Sequence, residues 1–524
     1  MRNRLFGDTG LSGAMAAARV RRACAQRMSA LWGLCAALLL SGCGGALQPH
    51  APDPEYGKGV AREFEAAFNG GWAQMDRFER QYWVAPALAP STDRKWPYLL
   101  QRRGFGRIHL DRVELEREQM VALAQTEFGD WVKCFLVFGE GGKRLLDVKW
   151  LQAAAPASER GPQNEQEYTS QLDGFLARFS ERAGFSGAVL VARRGQVIFE
   201  KAYGQARREP PTLNQVTTRF NIASVEKIFT AVLVFELIEE HKLALGGKIC
   251  DYLPNYPLKE ACPITIDQLL THTSGLGDVM SPRLMHAVER FKTPQDYLDT
   301  FGKDPLLFEP GKRWAYSNFG YAVLGRIVEA VEGKPFAEVI AQRIYEKANM
   351  KASTHLANAA DLAVPYAFLM PSGRGKLEYG PERDARRFMP LPAPFCCSFT
   401  TVRDLYNFSQ ALLAGRLVSK KSLELMVKTD RTAPGDLVDH YGYGVMADLI
   451  DGIPYFGHDG GVWGVNAVFR MTPDNDVVVV LSNVSPGAGQ RAAMRAEDWL
   501  ARLPKSAEQT PVKGPATDGL PTVR

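Results

Sequence analysis

Short apolar strands lie at both ends of residues 167–504 and enclose a helix-rich middle. The leading pair reads SGAVLVA and QVIFEKAYG around the turn Arg193-Arg194-Gly195, and the closing group reads YGYGVMADLI, IPYFGH, GVNAVFRMT and DVVVVLSNV. Strands from opposite ends of a domain commonly pair in one antiparallel sheet on which the intervening helices pack. The sequence therefore predicts an α+β fold for this region, with an antiparallel sheet flanked by helices.

A smaller unit precedes this region. Residues 55–152 begin with the helical stretch VAREFEAAFNGGWAQMDRFERQYW and continue with four alternating segments, which predicts a small α+β domain. The pattern resembles the cone-shaped nuclear-transport-factor-like or cystatin-like modules, and it implies an accessory or interaction role. Residues 153–166 are predicted to be a linker and residues 505–524 a disordered tail.

The first 54 residues carry a targeting pattern. Several arginines up to Arg27 precede the short apolar run LWGLCAALLLSG, which ends in Leu40-Ser41-Gly42-Cys43. This ending resembles a bacterial lipobox, which implies cleavage before Cys43 and lipid modification of its thiol. We predict a signal peptide over residues 1–42, a tether over residues 43–54, and a lipid-anchored protein on the periplasmic side of a bacterial envelope membrane. An ordinary signal peptide with an incidental cysteine is the alternative.

Charge and cysteine usage narrow the classes of function. The 63 Lys and Arg residues against 58 Asp and Glu leave a net charge of +5, which argues against nucleic acid as the main partner. The eight cysteines show no spacing typical of metal ligands, so no metal site is predicted. Cys250 and Cys262 flank a short Pro-containing loop, where a disulfide and two free thiols both remain open. The adjacent Cys396 and Cys397 are interpreted as packing residues.

Ser224 and Lys227 form the most informative chemical pair. They lie in FNIASVEKIFTAVLVFELIEEHKLAL, where an extended segment becomes a long apolar helix. Three residues of separation put both side chains on the same helix face. A neutral lysine can take the proton of a serine hydroxyl, and a helix N-terminus disfavours charge on that lysine. The pair indicates a serine hydrolase, although Ser-x-x-Lys also occurs by chance and a serine there often only caps the helix.

Tyr316 and Asn318 could extend such a site from the loop before a later helix, in FEPGKRWAYSNFGYAVLG. A tyrosine hydroxyl can relay a proton if nearby positive charge lowers its pKa. An asparagine amide can donate to a substrate carbonyl and accept from Lys227. The alternative is a turn in which the tyrosine packs and the asparagine caps the helix.

A third stretch, His458-Asp459-Gly460-Gly461, ends the strand IPYFGH. Two glycines let the backbone approach a substrate closely. The N–H groups of Gly461 and Ser224 could then form an oxyanion hole, with His458 projecting into the cleft. The alternative is a Gly-rich hairpin with a solvent-facing histidine.

These three stretches, in this order, resemble the penicillin-recognising serine hydrolases, and among them the branch of class C β-lactamases, DD-peptidases and esterases. ITIDQLLTHTSGLGD and TTVRDLYNFSQALLAG add to the resemblance, which covers residues 168–503. It implies a β-lactamase/transpeptidase-like fold that adds an all-helical subdomain to the sheet. It also implies that neither a metal nor an organic cofactor is needed.

The resemblance implies a role for each residue. Ser224 would be the acylated nucleophile, Lys227 its base, and Tyr316 the shuttle that protonates the leaving group and activates the deacylating water. Asn318 would bind the acyl side chain or orient Lys227. Three residues at the end of the strand IPYFGH and just after it would hold the substrate and the oxyanion: His458, Gly460 and Gly461.

Departures from the family pattern affect the expected substrate. His458 stands where class C β-lactamases carry a lysine that holds the substrate carboxylate, and a histidine is often uncharged at neutral pH. This favours an esterase or peptidase acting on an ester, amide or peptide-like substrate, with a β-lactamase or D-alanyl-D-alanine carboxypeptidase as the alternative. Glu226, expected to face solvent, and the bulky segment 394–398, expected to narrow the cleft, keep a catalytically silent binding or scaffold protein open. His272 is interpreted as a structural hydrogen-bonding residue.

Overall fold

The computed structural model describes residues 49–84, 91–156, 158–182, 184–285, 287–355, 361–371, 377–428, 440–450, 453–484 and 487–504. The predicted signal peptide, Cys43, most of the tether and the predicted tail lie outside these ranges. Within them, no helix combines the length and the apolar content that crossing a membrane requires.

The N-terminal unit, residues 54–153, packs three helices against a four-stranded antiparallel sheet. Its elements are α1 (Pro54–Gly70), α2 (Trp72–Tyr82), α3 (Ser91–Phe105), β1 (Ile108–Glu116), β2 (Gln119–Thr126), β3 (Trp131–Phe138) and β4 (Leu145–Ala153), with the strands in the order β1-β2-β3-β4. Asp53 caps α1 by accepting two backbone N–H groups. Phe64, Phe68 and Trp150 belong to a core that this unit does not share with the rest of the chain. The helix-then-meander pattern read from the sequence is present.

The sheet of the large unit, residues 165–504, joins strands from its two ends. The strands of this unit are β5 (Gly187–Arg193), β6 (Gln196–Tyr203), β7 (Gln205–Arg208), β8 (Pro211–Leu213), β9 (Phe220–Asn221), β10 (Tyr366–Pro371), β11 (Leu377–Asp384), β12 (Phe399–Thr400), β13 (Met446–Ile450), β14 (Ile453–Val462), β15 (Val465–Met471) and β16 (Val477–Ser482). Six of them form one antiparallel sheet in the order β13-β14-β15-β16-β5-β6. β16 pairs with β5, so the closing strands meet the leading hairpin. The predicted fold class is confirmed.

Helices cover both faces of this sheet. The helices of the large unit, some on the sheet and the others packed beside them, are α4 (Glu165–Glu181), α5 (Glu226–Glu239), α6 (Ile249–Tyr252), α7 (Ile266–Leu270), α8 (Pro282–Met285), α9 (Pro294–Phe301), α10 (Asn318–Glu332), α11 (Phe336–Ile340), α12 (Val402–Leu413), α13 (Lys420–Val427) and α14 (Ala488–Ala501). Side chains along a strand alternate between faces. Accordingly, Val189 and Val191 of β5 pack in the core with α4 and α14, and Leu190 packs in the core with α5.

The two units meet along α14. Its Arg491 makes a two-point ion pair with Asp130 of the N-terminal unit, with Nε 2.9 Å from Oδ2 and Nη2 2.8 Å from Oδ1. The two side chains are only 2% and 1% exposed. Phe128 of the N-terminal unit also packs on Phe179 of α4, with ring centroids 5.1 Å apart. A buried charge pair and an aromatic contact therefore connect the units.

Candidate active site

Ser224 lies in a strained turn between β9 and α5. The 3-10 turn Ala223–Val225 precedes the helix, and Ala223 has a left-handed backbone with φ of 44°. This conformation costs roughly 1 kcal/mol for a residue with a Cβ. The Asn221 side chain helps to hold it, because Asn221 Oδ1 accepts the Ala223 N–H at 2.8 Å. The turn leaves Ser224 half-buried while its two neighbours are buried.

Lys227 is fully buried one helical turn beyond Ser224. Its Nζ lies 3.3 Å from Ser224 Oγ, 2.7 Å from Asn318 Oδ1 and 2.8 Å from the carbonyl oxygen of Phe395. Burial lowers the pKa of Lys227 to about 7, and the charges of Asp278 and Glu226 oppose that shift. A substantial fraction of the amine is therefore neutral at neutral pH.

The contacts of Lys227 determine where the lone pair of its neutral amine can point. A neutral amine has two hydrogens, and the oxygens of Asn318 and Phe395 can only accept them. With both hydrogens used, the lone pair is left for the third neighbour, Ser224 Oγ. The arrangement is that of a base facing a hydroxyl.

Tyr316 also contacts this pair. Its hydroxyl forms a hydrogen bond with Ser224, and its ring centroid lies 4.7 Å from Lys227 Nζ and 4.3 Å from the ring of His272. The condition set for a proton relay, a pKa lowered by positive charge, is not met: burial raises the pKa of Tyr316, and the hydrogen bond to Ser224 offsets this only in part. The group is therefore a neutral phenol, which can still donate one proton while accepting another.

Asn318 begins α10 and connects Lys227 to the carboxylate of Asp278, which none of the sequence motifs indicated. Its Nδ2 donates to Asp278 Oδ1 at 3.0 Å, while its Oδ1 faces Lys227. His272 steadies the start of the same helix, because its Nδ1 accepts the N–H of Ser317 at 3.1 Å. This is the structural hydrogen bond expected for His272. The sequence signal for Asp278 was its place six residues after His272, in THTSGLGD.

Gly460 of β14 passes directly beside the turn that carries Ser224. A Cβ at this position would lie 2.2 Å from the carbonyl oxygen of Ile222 and 3.0 Å from Ser224 N. Such a close backbone approach requires glycine. Gly461 follows on the same strand, half-buried and paired with Asn466 of β15. The strand thus lies directly against the turn that carries Ser224.

His458 is placed differently from the expectation that it projects into the cleft. The ring is fully buried. Its Nδ1 lies 2.5 Å from the carbonyl oxygen of Asp459, so this nitrogen donates and Nε2 accepts from the Tyr441 hydroxyl at 3.1 Å. Burial places the pKa of His458 well below its usual value, and the charges of Lys227 and Arg470 add to the effect. The histidine is therefore neutral.

Glu226 does not face solvent, so that expectation is wrong. Its side chain is fully buried, 3.0 Å from His355 Nε2 and hydrogen-bonded by Ser398 Oγ. The reason is that α5 is buried on every side over its first three turns, so no face of the helix is left for a solvated carboxylate. Burial raises the pKa of Glu226, opposed by His355 and Lys227.

The segment 394–398 contacts helix α5. The carbonyl of Phe395 accepts from Lys227, and the carbonyl of Pro394 accepts from Thr230 Oγ1 at 2.5 Å. Cys396 and Cys397, interpreted from the sequence as packing residues, are joined by a disulfide bond, as are Cys250 and Cys262. Among the described residues, no group of three or more His, Cys, Asp or Glu could hold a metal ion.

The central antiparallel sheet, with a Ser-Lys-Tyr cluster beside its strand β14, defines a class of protein that comparison with known proteins identifies. The Beta-lactamase family model matches residues 172–503, and the chain belongs to that family.

Relatives in this family carry several names. Protein PbpX of Bacillus subtilis, named for penicillin binding, is 28% identical over 265 residues, which is 50% of this chain and 63% of the relative. Esterase EstB of Burkholderia gladioli is 30% identical over 238 residues, 43% of this chain and 59% of the esterase. The chain thus spans about three fifths of these curated relatives. The crystal structure of a penicillin-binding protein from Bacillus halodurans has a TM-score of 0.53 and 26% identity, covering 64% of this chain and 97% of that protein.

Proposed function

We propose that the protein is a serine hydrolase that forms an acyl-enzyme at Ser224. One observation carries this proposal: the buried amine of Lys227, with its pKa near 7, lies 3.3 Å from Ser224 Oγ and has oxygen acceptors for both of its hydrogens. A base with a pKa near the working pH combines the correct protonation state with useful basicity.

The contacts support a two-step reaction. Lys227 takes the proton of Ser224 while Oγ attacks the substrate carbonyl, and the N–H groups of Ser224 and Gly461 would stabilise the oxyanion. As the intermediate collapses, Tyr316 gives its proton to the leaving group and regains one from Lys227. Water then attacks the acyl-enzyme, its proton returns through Tyr316, and Ser224 is released with its own proton restored.

The neutral state of His458 favours substrates without a carboxylate at that end of the site. A buried, uncharged imidazole that is already bonded to Tyr441 offers no positive charge to an acidic group. We therefore propose an ester, amide or peptide-like substrate in which that position is neutral. A β-lactamase of class C type or a D-alanyl-D-alanine carboxypeptidase is the second candidate, favoured by the order of the motifs and by the penicillin-binding relative.

A substrate panel tests these proposals. The full chain is expected to react with a fluorophosphonate probe and to turn over p-nitrophenyl esters faster than nitrocefin or a D-Ala-D-Ala peptide, and Ser224→Ala should abolish all of these reactions. Equal probe labelling of wild type and Ser224→Ala would overturn the nucleophile assignment. Faster turnover of nitrocefin or the peptide would select the second candidate. Absence of any turnover would favour the scaffold alternative.

We also propose that the chain is anchored in the bacterial cell envelope through a lipid on Cys43. The proposal rests on the lipobox-like order Leu40-Ser41-Gly42-Cys43. In a bacterial host the full chain should fractionate with membranes, while Cys43→Ser should not. Identical fractionation of the two proteins would contradict the anchor. The N-terminal unit is proposed to be an accessory module.

A further inference from the structure

Asp278 makes close contacts with the asparagine that faces the proposed base. Asn318 Nδ2 lies 3.0 Å from Asp278 Oδ1 and 3.3 Å from Oδ2, and the backbone N of Asn318 lies 3.3 Å from Oδ1. Asp278 is half-buried, on the wall of a small pocket that Leu276 and Phe319 help to line. The residue has no role in the reaction described above, yet it lies one hydrogen bond beyond the asparagine that contacts the proposed base.

Building on the proposed function, we propose that Asp278 is a positioning residue for acylation, which holds the Asn318 amide in the orientation that presents an oxygen to Lys227. An ionised carboxylate can only accept hydrogen bonds, so the NH₂ end of the amide must face it. The carbonyl end of Asn318 is then directed at the amine of Lys227, 2.7 Å away.

The opposite amide orientation would disable the base. With its NH₂ group toward Lys227, Asn318 would offer donors where the lysine needs an acceptor. The neutral amine could then satisfy Asn318 only by turning its lone pair away from Ser224. The side chain of Asp278 therefore acts on the nucleophile through two intermediate residues, Asn318 and Lys227.

Asp278 also acts on Lys227 through its charge. Two carboxylates, those of Asp278 and Glu226, raise the pKa of the amine against the effect of burial. The other groups near the amine are uncharged: the Tyr316 and Tyr321 rings at 4.7 and 5.5 Å, and the buried His272 and His458, whose pKa values lie well below the usual value. Removing the charge at position 278 should therefore lower the pKa of Lys227.

Two variants of the full chain separate orientation from charge. The readout is the rate of fluorophosphonate labelling at Ser224 as a function of pH. Asp278→Asn keeps an acceptor for Asn318 but loses the charge, so the midpoint of the pH profile should fall by roughly half to one unit with a modest loss of rate. Asp278→Leu removes the acceptor as well, so labelling at pH 8 should fall roughly 10- to 100-fold.

Asp404→Asn is the matched control. Asp404 is another buried carboxylate of the large unit, and it accepts hydrogen bonds from Ala352 N and Ser353 Oγ. This variant should keep the wild-type midpoint, since Asp404 is not among the charges that shift Lys227.

A pH midpoint of Asp278→Asn equal to that of wild type and of Asp404→Asn would overturn the proposal and leave Asp278 with a purely structural role. If Asp278→Leu fails to fold, the midpoint of Asp278→Asn decides the matter by itself. Wild type that is not labelled at any pH would instead overturn the proposed function, so the two failures are distinguishable.

Discussion

Lys227 and Arg491 are both buried cations, and their surroundings give them opposite properties. Lys227 contacts three uncharged oxygen atoms, and its nearest carboxylates act without touching it. Arg491 instead makes a two-point contact with a carboxylate. Burial without a contacting counter-ion drives a lysine toward its neutral form, whereas an arginine keeps its charge and needs a partner.

Asp130, the partner of Arg491, shows how a contacting counter-ion keeps a buried carboxylate charged. Burial by itself would raise the pKa of Asp130, but Arg491, together with Thr126 and Gln152, more than offsets it and the pKa is lowered. The buried pair is therefore charged on both sides and connects the two units. The comparison distinguishes Lys227, a buried amine that can serve as a base, from Arg491, a buried cation that holds the two units together. We call the Arg491–Asp130 ion pair the structural tie.

Replacing the proposed base, Lys227, should produce the largest change. Lys227→Met is expected to lower kcat/KM for an ester at least roughly a thousandfold, because the proton acceptor is lost. The unfolding midpoint should change little, since the three lost hydrogen bonds are offset by no longer burying an amine. Ester turnover and thermal unfolding measure the two effects. A large loss of stability with activity retained would make Lys227 a structural tie like Arg491.

Breaking the structural tie should have the converse effect. Arg491→Met leaves Asp130 charged and unpaired in the protein interior, which should cost about 3–5 kcal/mol of unfolding free energy. kcat/KM should be nearly unchanged, because no part of the proposed reaction uses this pair. Chemical unfolding of the full chain measures the cost. Adding Asp130→Leu to Arg491→Met should recover much of the lost unfolding free energy, because no unpaired charge is then buried. If the double variant recovers none of it, the broken ion pair is not the source of the loss.

The pH dependence of activity tests whether Lys227 works in its neutral form. Its folded pKa of about 7 lies below the ordinary value, so the neutral amine that the proposed reaction needs is present above pH 7 and is lost by protonation below it. Below the midpoint, kcat/KM should fall about tenfold per pH unit. A profile that stays flat from pH 5 to pH 9 would contradict the assignment.

Acid unfolding gives the smallest expected difference. The folded pKa of Asp130 is lower than its unfolded value of about 3.9, so its contribution to stability is present above that pH. The contribution is lost as the pH falls through the folded pKa. Wild type should therefore lose on the order of 1 kcal/mol more than Asp130→Asn when the pH drops from 5 to 2. If the unfolding free energies of the two proteins fall in parallel with pH, the Asp130–Arg491 pair is not charged.

Regular patterns made much of the fold and of the local site predictable. Strand alternation indicated the central sheet, which β16 and β5 complete by pairing. The three-residue spacing of Ser224 and Lys227 indicated their contact, because neighbouring turns determine it with no help from the rest of the chain. The backbone approach of Gly460 followed from the two adjacent glycines.

Other features depended on residues far apart in the chain. The sequence did not indicate that the carbonyl of Phe395 accepts from Lys227, or that Asp278 lies behind Asn318. The environment of Glu226 was missed because a charged residue inside an apolar helix is usually placed on its solvent face, and this helix has none. Burial also raises the pKa of Tyr316, whereas the sequence tied its relay role to a lowered pKa.

The sequence by itself determined the family, the α+β architecture and the order in which a serine, a lysine, a tyrosine and a Gly-rich strand enter the site. Helix and strand periodicities and local spacing are enough for these. Tertiary structure decided the protonation states: a neutral His458, a raised pKa at Tyr316 and a lysine whose pKa is near 7. Protonation depends on how much water is removed and on which distant groups pack nearby, and only the folded chain brings those groups together.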